Sequence, residues 1–201
     1  SRAAAAAAAA GPRSSRAGLR VPAWHRGVAV RCDECDADFI HEENYTPEMR
    51  DITRNVDFHT LLEEGSFVLE GVAPETIEKL VDMAGTTAFA TKGQTLIRQG
   101  VDHTKIIILG HGRLGAAVDG ELVSFVVPGQ MIGEYAFIRK EPAFADVVVQ
   151  SDLAYFLMLD HASVADILGQ DQAVLDKMRI LMHQRELQKK AAFVTSKKLG
   201  D

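Results

Sequence analysis

The chain has 201 residues, 47% hydrophobic and 25% charged, enough for one domain with a real core and too short for two ordinary ones. Charge is uneven: residues 1–32 hold six arginines (Arg2, Arg13, Arg16, Arg20, Arg26, Arg31) and no acids, so all 28 acids fall in residues 33–201 against the remaining 16 of the 22 bases. So acidic a body repels phosphate backbones, which argues against polymeric nucleic acid as a partner, and its longest uncharged apolar stretches, such as residues 122–131, fall short of a transmembrane segment.

In chain order, residues 3–10 are all alanine, followed by Gly11-Pro12 and scattered Arg and Ser. Acid-poor segments rich in Arg and Ser are the mark of organellar transit peptides. The segment resembles algal chloroplast transit peptides, whose cleavage sites read Val-x-Ala or Val-x-Cys, as Val30-Arg31-Cys32 does. The resemblance implies a chloroplast address over residues 1–32. A mitochondrial presequence and a low-complexity arm are the alternatives. Cys32 and Cys35 are the only cysteines. One C-x-x-C pair cannot close a four-ligand zinc site, and no thioredoxin-like βα pattern surrounds it, so they read as incidental. No metal is expected. Residues 33–55 are polar and acidic and read as an extended arm.

Residues 56–192 form the expected body. A weak helical pattern covers 56–62. A clearer helix covers 74–84: Pro74 suits the first position, Glu75 the first turn, and Ile77, Leu80, Val81 and Ala84 make one apolar face, with Gly85 as the stop. From 86 to 159, short runs rich in Val, Ile and Phe alternate with glycine turns about every ten residues, the pattern of an antiparallel sandwich or barrel. Asp119-Gly120 is a two-residue hairpin signal. Residues 132–139 have lower β-character and predict a short helix inside the sheet region. Helix returns after Asp160, first with Val164, Ile167 and Leu168. A longer helix over 171–192 follows, with Val174, Met178, Leu181, Arg185 and Gln188 on one stripe and Leu175, Met182 and Leu187 beside it. Residues 193–201 read as a frayed tail.

This layout, with Gly93-Gln94-Thr95-Leu96-Ile97-Arg98-Gln99-Gly100, the glycine turn at Gly112, Asp119-Gly120, Pro128-Gly129-Gln130-Met131-Ile132-Gly133-Glu134-Tyr135-Ala136-Phe137 and Pro142-Ala143-Phe144-Ala145-Asp146-Val147, resembles the cyclic-nucleotide-binding domain over roughly residues 72–187. The resemblance implies a mainly β, antiparallel jelly-roll barrel with flanking helices. It implies a phosphate-binding cassette in which Gly133 lets the backbone approach, Glu134 takes the ribose 2′-hydroxyl, and the N–H groups of Tyr135 and Ala136 face the phosphate. The chain departs from the pattern at Ala143, where nucleotide-responsive members carry arginine, and at Phe144, a position usually small; Ala145 completes the exit. Losing a charge-assisted bond of about 1.5–3 kcal/mol weakens a ligand roughly ten- to hundredfold. Arg139 or Lys140 could substitute, but both sit in an intervening turn.

No nucleophile elbow, P-loop, Rossmann fingerprint or HExxH pattern is present, so an enzyme is not expected. The residues after the long helix leave no room for a helix-turn-helix module. Two readings follow. In the first, the domain has lost its ligand, needs no cofactor, and serves as an accessory or docking subunit for protein partners in a larger organellar assembly. In the second, it senses cyclic AMP or cyclic GMP and reports to a partner through its last helix.

Overall fold

The computed structural model describes residues 29–31, 38–40 and 42–198. The targeting reading of residues 1–28, both cysteines and the last three residues lie outside the described residues. In chain order the elements are β1 (Ala29–Arg31), β2 (Asp38–Ile40), α1 (Pro47–Asn55), α2 (Phe58–Gly65), α3 (Pro74–Glu78), β3 (Gly85–Thr91), β4 (Thr95–Ile97), β5 (Lys105–His111), β6 (Leu114–Val118), β7 (Glu121–Val126), β8 (Met131–Ile132), α4 (Glu134–Arg139), β9 (Asp146–Val149), β10 (Leu153–Asp160), α5 (His161–Leu168) and α6 (Gln172–Lys198). The helix predicted over 74–84 is present, but only its first part is α: Lys79–Ala84 continues as a π-helical turn. The long helix runs to Lys198, through most of what reads as a frayed tail.

The strands form two antiparallel sheets, β1-β2-β3-β10-β5-β8 and β4-β9-β6-β7. The turn spacing predicts an antiparallel sandwich or barrel, and the arrangement is the jelly roll that the resemblance implies. Asp119 and Gly120 both take positive φ, 53° and 84°, and close the β6–β7 hairpin with Val118 opposite Glu121. That is the turn chemistry the Asp-Gly pair predicts.

Two cores explain the apolar runs. Side chains of a strand alternate between faces. In β5, Ile106 and Ile108 point to a core shared with the helices, while Ile107 and Leu109 enter the barrel. In β10, Tyr155, Leu157 and Leu159 join the helical side, and Ala154 and Phe156 the barrel. Both strands are covered twice, so Ile-Ile-Ile-Leu reads as an uninterrupted run. The helical-side core takes Met49 from α1, Phe58 and Leu62 from α2, Ile77 from α3, Val164 and Leu168 from α5, and Val174 and Met178 from α6.

The structure corrects the extended arm over residues 33–55. Thr46 caps α1, its Oγ1 accepting from Met49 N at 3.2 Å, and Pro47 stands in the first turn. Met49 is buried, and Ile40, Tyr45, Ile52 and Val56 pack against the same core. Burying these five apolar groups outweighs the polar composition around them. Ala29–Arg31, the end of the segment assigned to the transit peptide, pairs with Asp38–Ile40.

Tyr45 stands edge-on to Phe89 at 4.9 Å between ring centroids. Burial, then the proximity of Tyr155 and Glu42, pushes its phenol up to about 12 from 10.0. The fold holds this proton more tightly than the unfolded chain does. Its contribution to stability is therefore complete below pH 10 and lost as pH rises through 12. Melting temperatures followed across that window should fall more steeply for the unaltered protein than for Tyr45→Phe. Parallel curves would show that Tyr45 does not carry the alkaline transition.

Candidate functional site

The short helix predicted over 132–139 appears as α4, which starts two residues later, Ile132 belonging to β8. Gly133 joins them at φ 91°. An added Cβ there would fall on the Lys105 carbonyl oxygen, so both conformation and close approach require glycine. On the exit side, Ala143 N donates to Val101 O at 3.0 Å, and Ala143 O accepts from Gly100 N at 2.7 Å. Asp146 Oδ1 accepts from Gln99 N at 2.8 Å. These bonds pin the cassette's exit to the turn after β4.

Gly133, Glu134, Tyr135, Ala136, Ala143, Phe144 and Ala145 all line one cavity of about 180 Å³. The barrel supplies Ile97, Val126 and Val147 to its wall, and α6 supplies Leu181, Gln184, Arg185 and Gln188. Phe144 packs on Tyr135, ring centroids 4.9 Å apart. Tyr135 donates its hydroxyl to Glu141 Oε2 at 3.0 Å, and burial followed by that bond raises its phenol pKa. Arg139 ends α4 rather than lying in the turn, Lys140 caps it, and neither lines the cavity. Arg139 reaches Glu186 on α6 at 3.4 Å, and Lys140 lies over the Phe137 ring.

The residue that sequence reasoning missed is Arg185. Its Nη1 donates to Glu134 Oε1 and its Nη2 to the Met131 carbonyl, both at 2.5 Å. Glu134 is 1% exposed and the Arg185 side chain 16%. The last helix thus places one arm of a guanidinium on Glu134 and the other on the Met131 carbonyl. Lys189, one turn further, has its Nζ 5.8 Å from the Phe144 ring centroid. The available signal was an arginine on the apolar stripe of an amphipathic helix, where a cation needs a partner. On that stripe Val174 and Met178 are core, whereas Leu187 beside it is half exposed.

His103 also lines the cavity, and its ring stands edge-on to His161 at 6.4 Å. No group of three or more His, Cys, Asp or Glu among the described residues is placed to hold a metal. No helix among them is long and apolar enough to cross a membrane.

Against known proteins, residues 88–171 match a family model described as "Cyclic nucleotide-binding domain". No curated protein matches. Among solved structures, cAMP-bound PfPKA-R is similar with a TM-score of 0.58 at 20% identity, covering 73% of this chain and 48% of that one. The regulatory domain of Toxoplasma gondii PKA with cAMP gives 0.56 at 22% identity, covering 67% and 51%. The regulatory subunit of a cAMP-independent protein kinase A from Trypanosoma cruzi, bound to guanosine, gives 0.57 at 20%, covering 74% and 51%. The chain spans about half the length of these structures, and at such identities the likeness is one of fold. Fold and family model agree: this chain has the jelly-roll architecture of cyclic-nucleotide-binding domains, and residues 88–171 are the part that matches that family.

Proposed function

We propose that this is a non-enzymatic regulatory domain in which cyclic-nucleotide binding has been lost, acting as an accessory or docking subunit of a larger organellar assembly, in the chloroplast. The observation that carries the reading is the Arg185–Glu134 pair. The carboxylate that would take a ribose hydroxyl is held by the chain's own last helix. Ala143 brings no counter-charge to the phosphate position, and a buried anion without one is strongly disfavoured. The cavity of about 180 Å³ is also smaller than the roughly 300–1,000 Å³ of ordinary small-molecule sites.

Calorimetric titration with cyclic AMP and with cyclic GMP should show no binding at micromolar concentration. Affinity at micromolar or below for either would overturn the loss of ligand. It would favour the second reading, a sensor that signals through α6. That reading draws on the intact Gly133–Glu134 turn and on the seat of α6 against it.

The chloroplast address rests on the acid-free, arginine-bearing residues 1–32. Peptide mapping of the protein isolated from its source should find its mature start near Cys32 or Asp33. Recovery of residues 1–20 in the functional protein would remove the targeting reading.

A further inference from the structure

The two sheets differ in what covers their outer faces. That of β3, β10 and β5 lies under the helices, in the core they share. In the four-stranded sheet, Leu114, Val147 and Val149 enter the barrel core, and the residues that alternate with them on β6 and β9 point the other way. An antiparallel sheet with one wet face commonly alternates apolar inside with polar outside. Here the outward row across β9, β6 and β7 is Val148, Gly115 and Phe125, and the next is Asp146, Ala117 and Leu122. Val123 has no partner on β6. That bulge keeps Phe125 and Leu122, three residues apart, on one face.

This face is apolar and flat. Phe125 and Leu122 are each 49% exposed, and Val127, just past the strand, 46%. A Cβ on Gly115 would strike Leu122 Cδ1 and the Gln150 side chain, so glycine there lets both lie across the sheet. The other exposed large hydrophobics among the described residues, Phe67, Val101, Ile180 and Leu187, lie on other segments. Single exposed apolar residues are ordinary, whereas a contiguous patch marks an interaction surface. The charge of the face has a direction. Arg113 precedes β6 at one end, its Cζ 4.9 Å from the centre of the Phe125 ring. Asp146 stands in the row toward the other end, with Glu121 beyond it at the hairpin. A second copy, turned about a two-fold axis that lies between the faces and perpendicular to the strands, sets each Arg113 against the acidic end of the other. Such a contact is isologous and closes at two copies.

We infer that the outer face of β9, β6 and β7 stacks on the same face of a second copy of this chain, with the strands of the two copies antiparallel, Phe125 and Leu122 central, and each Arg113 opposed to the acidic end of the other copy. This goes beyond the proposed function, since it needs neither the loss of a ligand nor a foreign partner.

The test is sedimentation equilibrium of the whole chain over a concentration series. A monomer–dimer equilibrium is expected, with the dimer populated at micromolar concentration and weakened by added salt. Leu122→Lys places a cation in the row that faces Arg113 of the other copy and should weaken the dimer about tenfold or more. Adding Arg113→Glu to it restores opposite charges and should recover most of that loss. Arg113→Glu alone turns an acid toward an acidic row and should weaken the dimer about threefold or more. Arg113 is exposed, so this variant decides the matter even if Leu122→Lys does not fold. Ile180→Lys, on the exposed side of α6, should change nothing. A monomer at every concentration overturns the inference, and leaves both the docking of another protein and the loss of cyclic-nucleotide binding standing. A dimer that Leu122→Lys leaves intact, or that Ile180→Lys abolishes, overturns it as well.

Discussion

Arg185→Ala is expected to destabilise the fold by about 3–5 kcal/mol, the cost of leaving a buried charge without its partner. For a chain of this length that corresponds to a fall of roughly 6–20 °C in melting temperature. The effect is large because Glu134 cannot retreat to water. It sits at the first position of α4, directly after a left-handed Gly133 that is itself wedged against Lys105. The Met131 carbonyl loses a donor in the same substitution. Thermal unfolding of Arg185→Ala, Glu134→Gln and the double variant supplies the cycle that isolates the pair. The double variant should lose clearly less than the two single losses added together. An Arg185→Ala protein within about 0.5 kcal/mol of the unaltered one, the ordinary range of surface changes, would mean that α6 does not hold the cassette.

Phe89→Ala is the second large effect, about 3–5 kcal/mol for truncating a buried aromatic. Phe89 is fully buried in the middle of β3. Its ring stacks on Tyr155 at 4.5 Å and meets Tyr45 edge-on at 4.9 Å, and across the sheet it is paired with Ile40 of β2. Strands β3 and β10, the segment before α1 and the helical-side core therefore meet on one side chain. Urea unfolding should show a lower midpoint, and the N-terminal amides of residues 42–55 should exchange faster than those of β5 and β10. If the midpoint falls while exchange in that segment keeps pace with the barrel, the N-terminal segment docks without Phe89.

These two residues also mark how far the sequence can be read. Phe89 lies in a stretch whose turn spacing alone predicts a barrel, and the strands fall where glycines and Asp119-Gly120 separate them. The cassette is equally legible. Gly133, Glu134, Ala143 and Phe144, ten residues apart, arrive in one cavity because the intervening turn returns the chain beside its own start. The segment over 33–55 is legible only with hindsight. Tyr45, Met49, Ile52 and Val56 recur at spacings of four, three and four, a helical face, but acidic neighbours dominate its composition. Arg185 is the harder case. Its position on α6 follows from periodicity, yet its partner lies 51 residues earlier, and no local pattern announces a contact made through tertiary packing. The π-turn at Lys79–Ala84 has the same character, since apolar spacing predicts helix without specifying which hydrogen-bond register closes it.

Its seat in the helical-side core and its contact at Arg185 make α6 a lever. Its 27 residues extend for about 40 Å at 1.5 Å per residue. Val174 and Met178 are fixed in the helical-side core and act as a fulcrum near one end. Arg185 lies about 10 Å along the rod and Lys198 about 30 Å. A rigid tilt about Met178 that carries Arg185 1 Å away from Glu134 therefore swings the far end by about 3 Å. The mechanical advantage runs both ways. A partner gripping the distal turns needs only about a third of the force to pry the guanidinium from the cassette that it would need pulling at Arg185 itself.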